Sequence, residues 1–162
     1  MTLAFRLQPA TEQDLPVVLQ FIRELADYEK LGDQVTATES DLYETLFGPE
    51  RVAYAVLAYA GAEPAGFAVY FISFSTFLAR PGLYLEDLYV RPEWRRQGLG
   101  RKLLAHLAHI AIDRGFGRME WSVLDWNEMA LRVYRGVGAT AMNDWTIQRL
   151  TGEPLKALAK SA

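Results

Sequence analysis

The reading of this chain turns on residues 83–107, L-Y-L-E-D-L-Y-V-R-P-E-W-R-R-Q-G-L-G-R-K-L-L-A-H-L. The first eight, apolar and aromatic around an acidic pair, predict a strand that Arg91-Pro92 ends. Beyond the glycine-containing loop at 95–100, Leu99, Leu103, Leu107, Ile110 and Ala111 recur at the spacing of one helix face. Strand, basic loop and long helix follow directly on one another. Because the loop Arg95-Arg96-Gln97-Gly98-Leu99-Gly100 opens a helix, its backbone N–H groups and the positive end of the helix dipole converge on one spot. Gly98 and Gly100 let the backbone approach an anion closely, while Arg95, Arg96 and Arg101 surround it with charge.

Two familiar phosphate loops are excluded by their flanks. A Walker loop needs G-K-[ST], but Gly100 is followed by Arg101 and Lys102, with no hydroxyl for magnesium. The dinucleotide fingerprint has Leu103 in place of its third glycine, and Glu120, the acid at the expected distance, falls mid-strand. What remains is R-x-x-G-x-G, carried by Arg95, Gly98 and Gly100, a spacing that a capped surface helix satisfies equally well.

Upstream, Asp14 is a better helix cap than Thr11, leaving Pro16 in the first turn and Val18, Phe21, Ile22, Leu25 and Glu29 at helical spacing to about Lys30. Thr38 or Ser40 caps a shorter helix that Gly48-Pro49 stops, and 52–59 with 65–74 predict a hairpin. Downstream, Gly115 and Gly117 close the long helix, 119–124 predicts a strand, and Asn127 caps a helix through Tyr134 that stops at Gly136 or Gly138. Extended segments near 139–142 and 145–150 precede an alanine-rich helical tail. The expected architecture is one α/β (α+β) domain over 1–162: a mixed, mostly antiparallel sheet in which the strands flanking the long helix run parallel, since a crossover helix joins them.

Composition narrows the function. At 162 residues and 51% apolar the chain can fill a core without disulfides or metal. The absence of cysteine removes disulfides, thiolate zinc sites and a cysteine nucleophile, and His106 and His109 carry no metal-ligand spacing, so no metal is expected. Apolar runs fall short of the roughly 20 residues of a membrane span and the N-terminus has no basic-then-apolar leader, which predicts a cytoplasmic protein without membrane association. A net charge of -3 argues against nucleic acid and favours cationic partners. Arg91, Arg95, Arg96, Arg101 and Lys102 nonetheless gather into one local anion site.

Five islands, R-L-Q-P-A-T at 6–11, E-L-A-D-Y-E-K-L at 24–31, Y-L-E-D-L-Y-V at 84–90, the loop at 95–100, and D-W-N-E-M-A-L-R-V-Y-R-G-V-G-A at 125–139, together resemble the spermidine/spermine N-acetyltransferase (diamine acetyltransferase) branch of the GNAT superfamily. The resemblance implies a sheet splayed at its centre with helices on both faces, and acetyl-CoA as cosubstrate with its pyrophosphate on Arg95–Arg101, including Gln97 and Leu99. It implies that Leu88, Tyr89 and Val90 lend backbone groups to the pantetheine arm, with Asn127 and Ala130 lying against it. Tyr134 matches the tyrosine that protonates the departing thiolate. Tyr28 and Glu29 match acceptor-site positions, and Glu86 matches the glutamate beside the acceptor nitrogen.

Such a base is needed, because an alkylammonium of pKa about 10.4 is only about 0.04% neutral at pH 7, which adds roughly 4.6 kcal/mol to the barrier. Glu86 and Asp87 are neighbours on a strand, so only one is expected to enter the cleft, and the resemblance selects Glu86. Glu120 and the short stretch at 143–145 depart from the diamine enzymes, leaving the acceptor open among polyamines, diamines and lysine-like amines such as thialysine. Acetylation of protein lysines or N-termini and a non-enzymatic acyl-CoA sensor are the alternatives. A homodimer is expected by analogy, with the aromatic segment Phe71–Phe77 at its interface.

Overall fold

The computed structural model describes residues 4–162. In chain order it contains β1 (Phe5–Pro9), α1 (Leu15–Tyr28), α2 (Glu39–Leu46), β2 (Tyr54–Ala60), β3 (Glu63–Ser75), β4 (Arg80–Val90), α3 (Leu99–Asp113), β5 (Met119–Trp121), α4 (Glu128–Gly136) and α5 (Gly152–Ala159). The strands form one sheet in the order β1-β2-β3-β4-β5. Neighbours are antiparallel except β4 and β5, which are parallel across the α3 crossover.

Each face of the sheet carries its own core. On one face Val56, Ala58, Ala68, Leu83 and Leu85 pack with Leu99, Leu103 and Leu107 of α3. On the other, Leu57, Phe67, Val69 and Tyr89 pack with Val18, Phe21 and Leu25 of α1 and Leu46 of α2, and Phe21 stacks on Phe67 at 5.2 Å between centroids. Both faces of β2 are therefore buried, and the i, i+3, i+7 spacing of α1 is answered by burial against the sheet.

The caps resolve two open choices. Thr38 caps α2, its Oγ1 accepting from Asp41 N at 3.2 Å while Asp41 Oδ2 accepts from Thr38 N at 2.9 Å. Asp14 directly precedes α1, but its Oδ2 turns back to accept from Thr11 N at 2.7 Å. Three expectations shift. Helix α1 ends at Tyr28 rather than Lys30, where φ is +64° and the chain has turned. Strand β5 stops at Trp121, because 122–124 leave the sheet. The segments 139–142 and 145–150 form no strand; among the described residues they find no ladder partner, and Trp145 and Ile147 stand 78% and 71% exposed. Among the described residues, no helix is long and apolar enough to cross a membrane.

An irregularity in β4 decides what enters the site. Val69 pairs with Asp87 and Tyr70 with Leu85, so Glu86 is an extra residue, a β-bulge. Leu83 and Leu85 lie in the α3-side core, whereas Tyr89 lies in the α1-side core and Leu88 in the α3-side one. The bulge exchanges the faces and turns Asp87, in step with Tyr89, toward α1.

Candidate active site

The last parallel pair is Leu85 with Trp121. Past it β4 and the chain after β5 diverge and enclose a cavity of about 770 Å³, with Leu88–Val90 on one wall and Ser122–Leu124 on the other. A strand edge without a strand partner offers backbone groups that an amide-bearing ligand can satisfy. The loop before α3 forms one end, through Arg95, Arg96, Gly98, Leu99, Gly100 and Arg101. Tyr28 and Glu29 from the end of α1, and Asn127, Ala130, Val133 and Tyr134 from α4, complete the lining. Gln97 lies outside it, its Nε2 donating to Glu93 O at 3.1 Å.

Gly98 is the N-cap of α3 at φ +82°, and a Cβ there would meet nothing within 4 Å, so the backbone angle and not space calls for glycine. At Gly100 a Cβ would meet only Leu88 Cδ2, at 4.0 Å, inside the cavity. Arg95 satisfies the loop spacing but does not project freely. Its Nε donates to Val90 O at 2.8 Å, and its guanidinium lies 4.8 Å from the Tyr28 ring centroid and 5.5 Å from that of Tyr89. Of the β4 residues expected to lend backbone groups, Val90 thus has its carbonyl engaged by the chain itself. Glu120 is paired with Arg118 at 2.9 Å, away from the cavity.

Across the cleft α1 and α4 are clasped. Tyr28 Oη donates to Asn127 Oδ1 at 3.1 Å, and the same oxygen caps α4 by accepting from Ala130 N at 3.3 Å. That leaves Asn127 Nδ2 as the donor available to a ligand. Lys30 Nζ stands 4.9 Å over the Trp126 ring, beside Tyr28.

The electrostatics single out two groups. Tyr134 lies edge-on to Trp121 at 5.2 Å, and burial, then the negative charge of Glu29 and the neighbouring Tyr28 hydroxyl, raise its phenol above the ordinary value, so it is protonated at neutral pH. Asp87 is pushed up to about 6 by burial, then by Glu86 and Glu29, and burial raises Glu29 as well. The expectation that only one of Glu86 and Asp87 enters the cleft fails: both line it, Glu86 exposed and Asp87 the more enclosed. Asp87, Ile147 and Arg149 are cavity residues that the sequence reading did not include. The bulge that admits Asp87 has no signature in the sequence beyond the acidic pair.

A sheet split beside a helix-opening basic loop, with a protonated tyrosine and a half-buried carboxylate in the split, is the frame of an acyl-transferring enzyme, and the comparisons agree. Residues 19–139 match the acetyltransferase (GNAT) family, and the chain belongs to it. It is similar to the thialysine N-epsilon-acetyltransferase of Bos taurus, 38% identical over 94% of this chain and 96% of the relative. It is also similar to the L-ornithine N5-acetyltransferase of Arabidopsis thaliana, 30% identical over 96% of this chain and 88% of the relative. Among solved structures, an integron cassette protein from the mobile metagenome of V. cholerae superposes with a TM-score of 0.80 at 28% identity, covering 99% of both chains. An aminoglycoside acetyltransferase from a soil metagenome, at 21% identity and TM-score 0.78 over 92% of this chain and 97% of that one, shares the fold.

Proposed function

We propose that this small-molecule amine N-acetyltransferase takes its acetyl group from acetyl-CoA and passes it directly to the side-chain amine of a basic amino acid or short diamine. The observation that carries the reading is the presence of a half-buried Asp87 and a protonated Tyr134 together on the walls of the cavity that the open β4 edge lines. The residues fit the cosubstrate. Among the described residues the β5-facing edge of β4 has no strand partner beyond Leu85, Trp94 lines the cavity with its buried Nε1 unpartnered, and the helix-opening loop places Arg96 and Arg101 at the cavity's end. On this reading the loop and the α3 N-terminus hold the diphosphate, the Leu88–Val90 edge and Asn127 Nδ2 hold the pantetheine amides, and Ala130 keeps the α4 wall low.

Acetyl-CoA supplies an activated carbonyl and a thiolate leaving group. Asp87, ionised above about pH 6, accepts the first proton from the acceptor ammonium and hands it to water. Glu86, exposed one residue earlier, draws the cation in, and Glu29 with Tyr28 shapes its berth. The resemblance assigned the base to Glu86; burial, which tunes a carboxylate toward neutrality, favours Asp87. A backbone N–H on β4 polarises the carbonyl oxygen as charge develops on it. Tyr134 donates its proton to the departing sulfur, and the second proton lost by nitrogen restores the balance, so one proton is released per turnover.

The named activities of the similar enzymes, on thialysine and on L-ornithine, support an amino-acid acceptor. The reading is tested by thiol release from acetyl-CoA with ornithine, thialysine and 1,4-diaminobutane against an amine-free control. Homodimer formation remains part of this proposal: Phe74 and Phe77, 66% and 99% exposed, together with Trp145, offer apolar surface suited to a second copy, and the mass in solution tests it.

A further inference from the structure

The cavity has an uneven charge that its established parts do not explain. Its acidic members, Glu86 and Asp87 on β4 and Glu29 at the end of α1, suit an ammonium group. Those same acids repel a carboxylate, so an acceptor bearing both groups needs a cation of its own at the cavity wall. The arginines of the anion loop are committed by position to the α3 N-terminus, and Arg95 is held against Val90 O and the rings of Tyr28 and Tyr89.

One further arginine reaches the cavity from a different part of the chain. Arg149 lies in the non-helical segment between α4 and α5 and lines the cavity together with Ile147, two residues earlier. Among the described residues Arg91 is paired with Glu24 and Arg118 with Glu120, whereas Arg149 has no ion-pair partner. Its guanidinium can therefore take a carboxylate through two parallel hydrogen bonds without giving up an ion pair.

We propose that Arg149 binds the carboxylate of the acceptor, so that the enzyme distinguishes a basic amino acid from the diamine that its decarboxylation would leave. The inference rests on the acetyl-transfer reading above and names the substrate class of the same site. Ile147, beside Arg149, covers the aliphatic stem between the two charged ends of such an acceptor. The segment 145–150 acts as the specificity wall of the cavity, opposite in sign to the acids of β4.

The test measures initial rates with two matched pairs, ornithine against 1,4-diaminobutane and lysine against 1,5-diaminopentane, for the wild-type enzyme, Arg149→Ala and Arg149→Lys, with the KM for acetyl-CoA determined in each. Wild type is expected to favour the amino acid of each pair. Arg149→Ala is expected to lower kcat/KM for the amino acids about 10- to 100-fold, through KM, while leaving kcat and both diamines within about twofold. Arg149→Lys recovers part of the loss. An equal loss for both members of a pair, no loss at all, or a raised KM for acetyl-CoA in Arg149→Ala would each overturn the proposal, the last by assigning Arg149 to the phosphates. A wild-type enzyme that acetylates only the diamines overturns it while leaving acetyl transfer intact. One that acetylates neither member of either pair, nor thialysine, overturns both.

Discussion

Tyr28, on the last turn of α1, donates its hydroxyl proton to Asn127, the N-cap of α4, at 3.1 Å across the open half of the sheet. One amide oxygen thereby closes the cleft and starts a helix.

The two functions separate by mutation. Asn127→Ala removes both cap and clasp and is expected to destabilise the protein by roughly 1–2 kcal/mol in urea titration. Tyr28→Phe removes only the clasp, with a loss of about 1 kcal/mol or less, and is expected to raise the acceptor KM more than that for acetyl-CoA. Equal destabilisation by the two variants would show that the cap contributes nothing.

Asp87 gives a pH signature. Its folded pKa of about 6 lies above the ordinary 3.8, so between about pH 4 and 6 the native state holds the proton more tightly than the unfolded chain, and stability falls as pH rises through that window. Asp87→Asn is expected to flatten this dependence and to gain on the order of 2–3 kcal/mol at pH 7, while kcat/KM falls by about 100-fold or more. In the wild type kcat/KM should rise through about pH 6. Glu86→Gln is expected to raise the amine KM with a smaller loss of kcat. Reversal of those two activity losses would return the base to Glu86.

The two loop glycines should fail differently. Gly98→Ala forces a Cβ into φ +82° and is expected to lower stability by roughly 1–2 kcal/mol without any steric clash. Gly100→Ala meets only Leu88 Cδ2 at 4.0 Å, so stability should hold while the KM for acetyl-CoA rises, since the new methyl group occupies cavity space. Thermal melts with and without acetyl-CoA check both.

Tyr134→Phe keeps the packing on Trp121 and removes the proton donor. It is expected to lower kcat about 10- to 1000-fold with cofactor affinity nearly unchanged, because the hydroxyl matters mainly as the sulfur departs. Unchanged turnover would remove Tyr134 from the chemistry.

Much of this frame was legible in the residues because local chemistry dictated it. Arg91-Pro92 had to end β4, Gly98 had to sit where φ is positive, and Leu99, Leu103 and Leu107 had to face the sheet. The site was less legible where a single non-local pairing decides it. Alternation along a strand assumes an unbroken pleat, and the bulge at Glu86 breaks it, so Asp87 reaches the cleft alongside its neighbour. Arg95 fits the loop spacing yet spends its Nε on Val90 O, with its guanidinium beside the Tyr28 and Tyr89 rings. The chain at 122–124 reads as strand but leaves the sheet to form the cavity wall, and Arg149 enters from a segment without periodic pattern.

Thiol release from acetyl-CoA with ornithine as acceptor, followed in parallel with an amine-free control and Asp87→Asn, decides whether this cavity transfers acetyl groups to amines. Release is expected to depend on the amine, to yield one equivalent of acetylated side-chain amine per thiol, and to fall by about 100-fold or more in the variant. Release that is independent of the amine, or wild-type protein that binds acetyl-CoA and releases no thiol with any basic amino acid or diamine, would contradict that transfer.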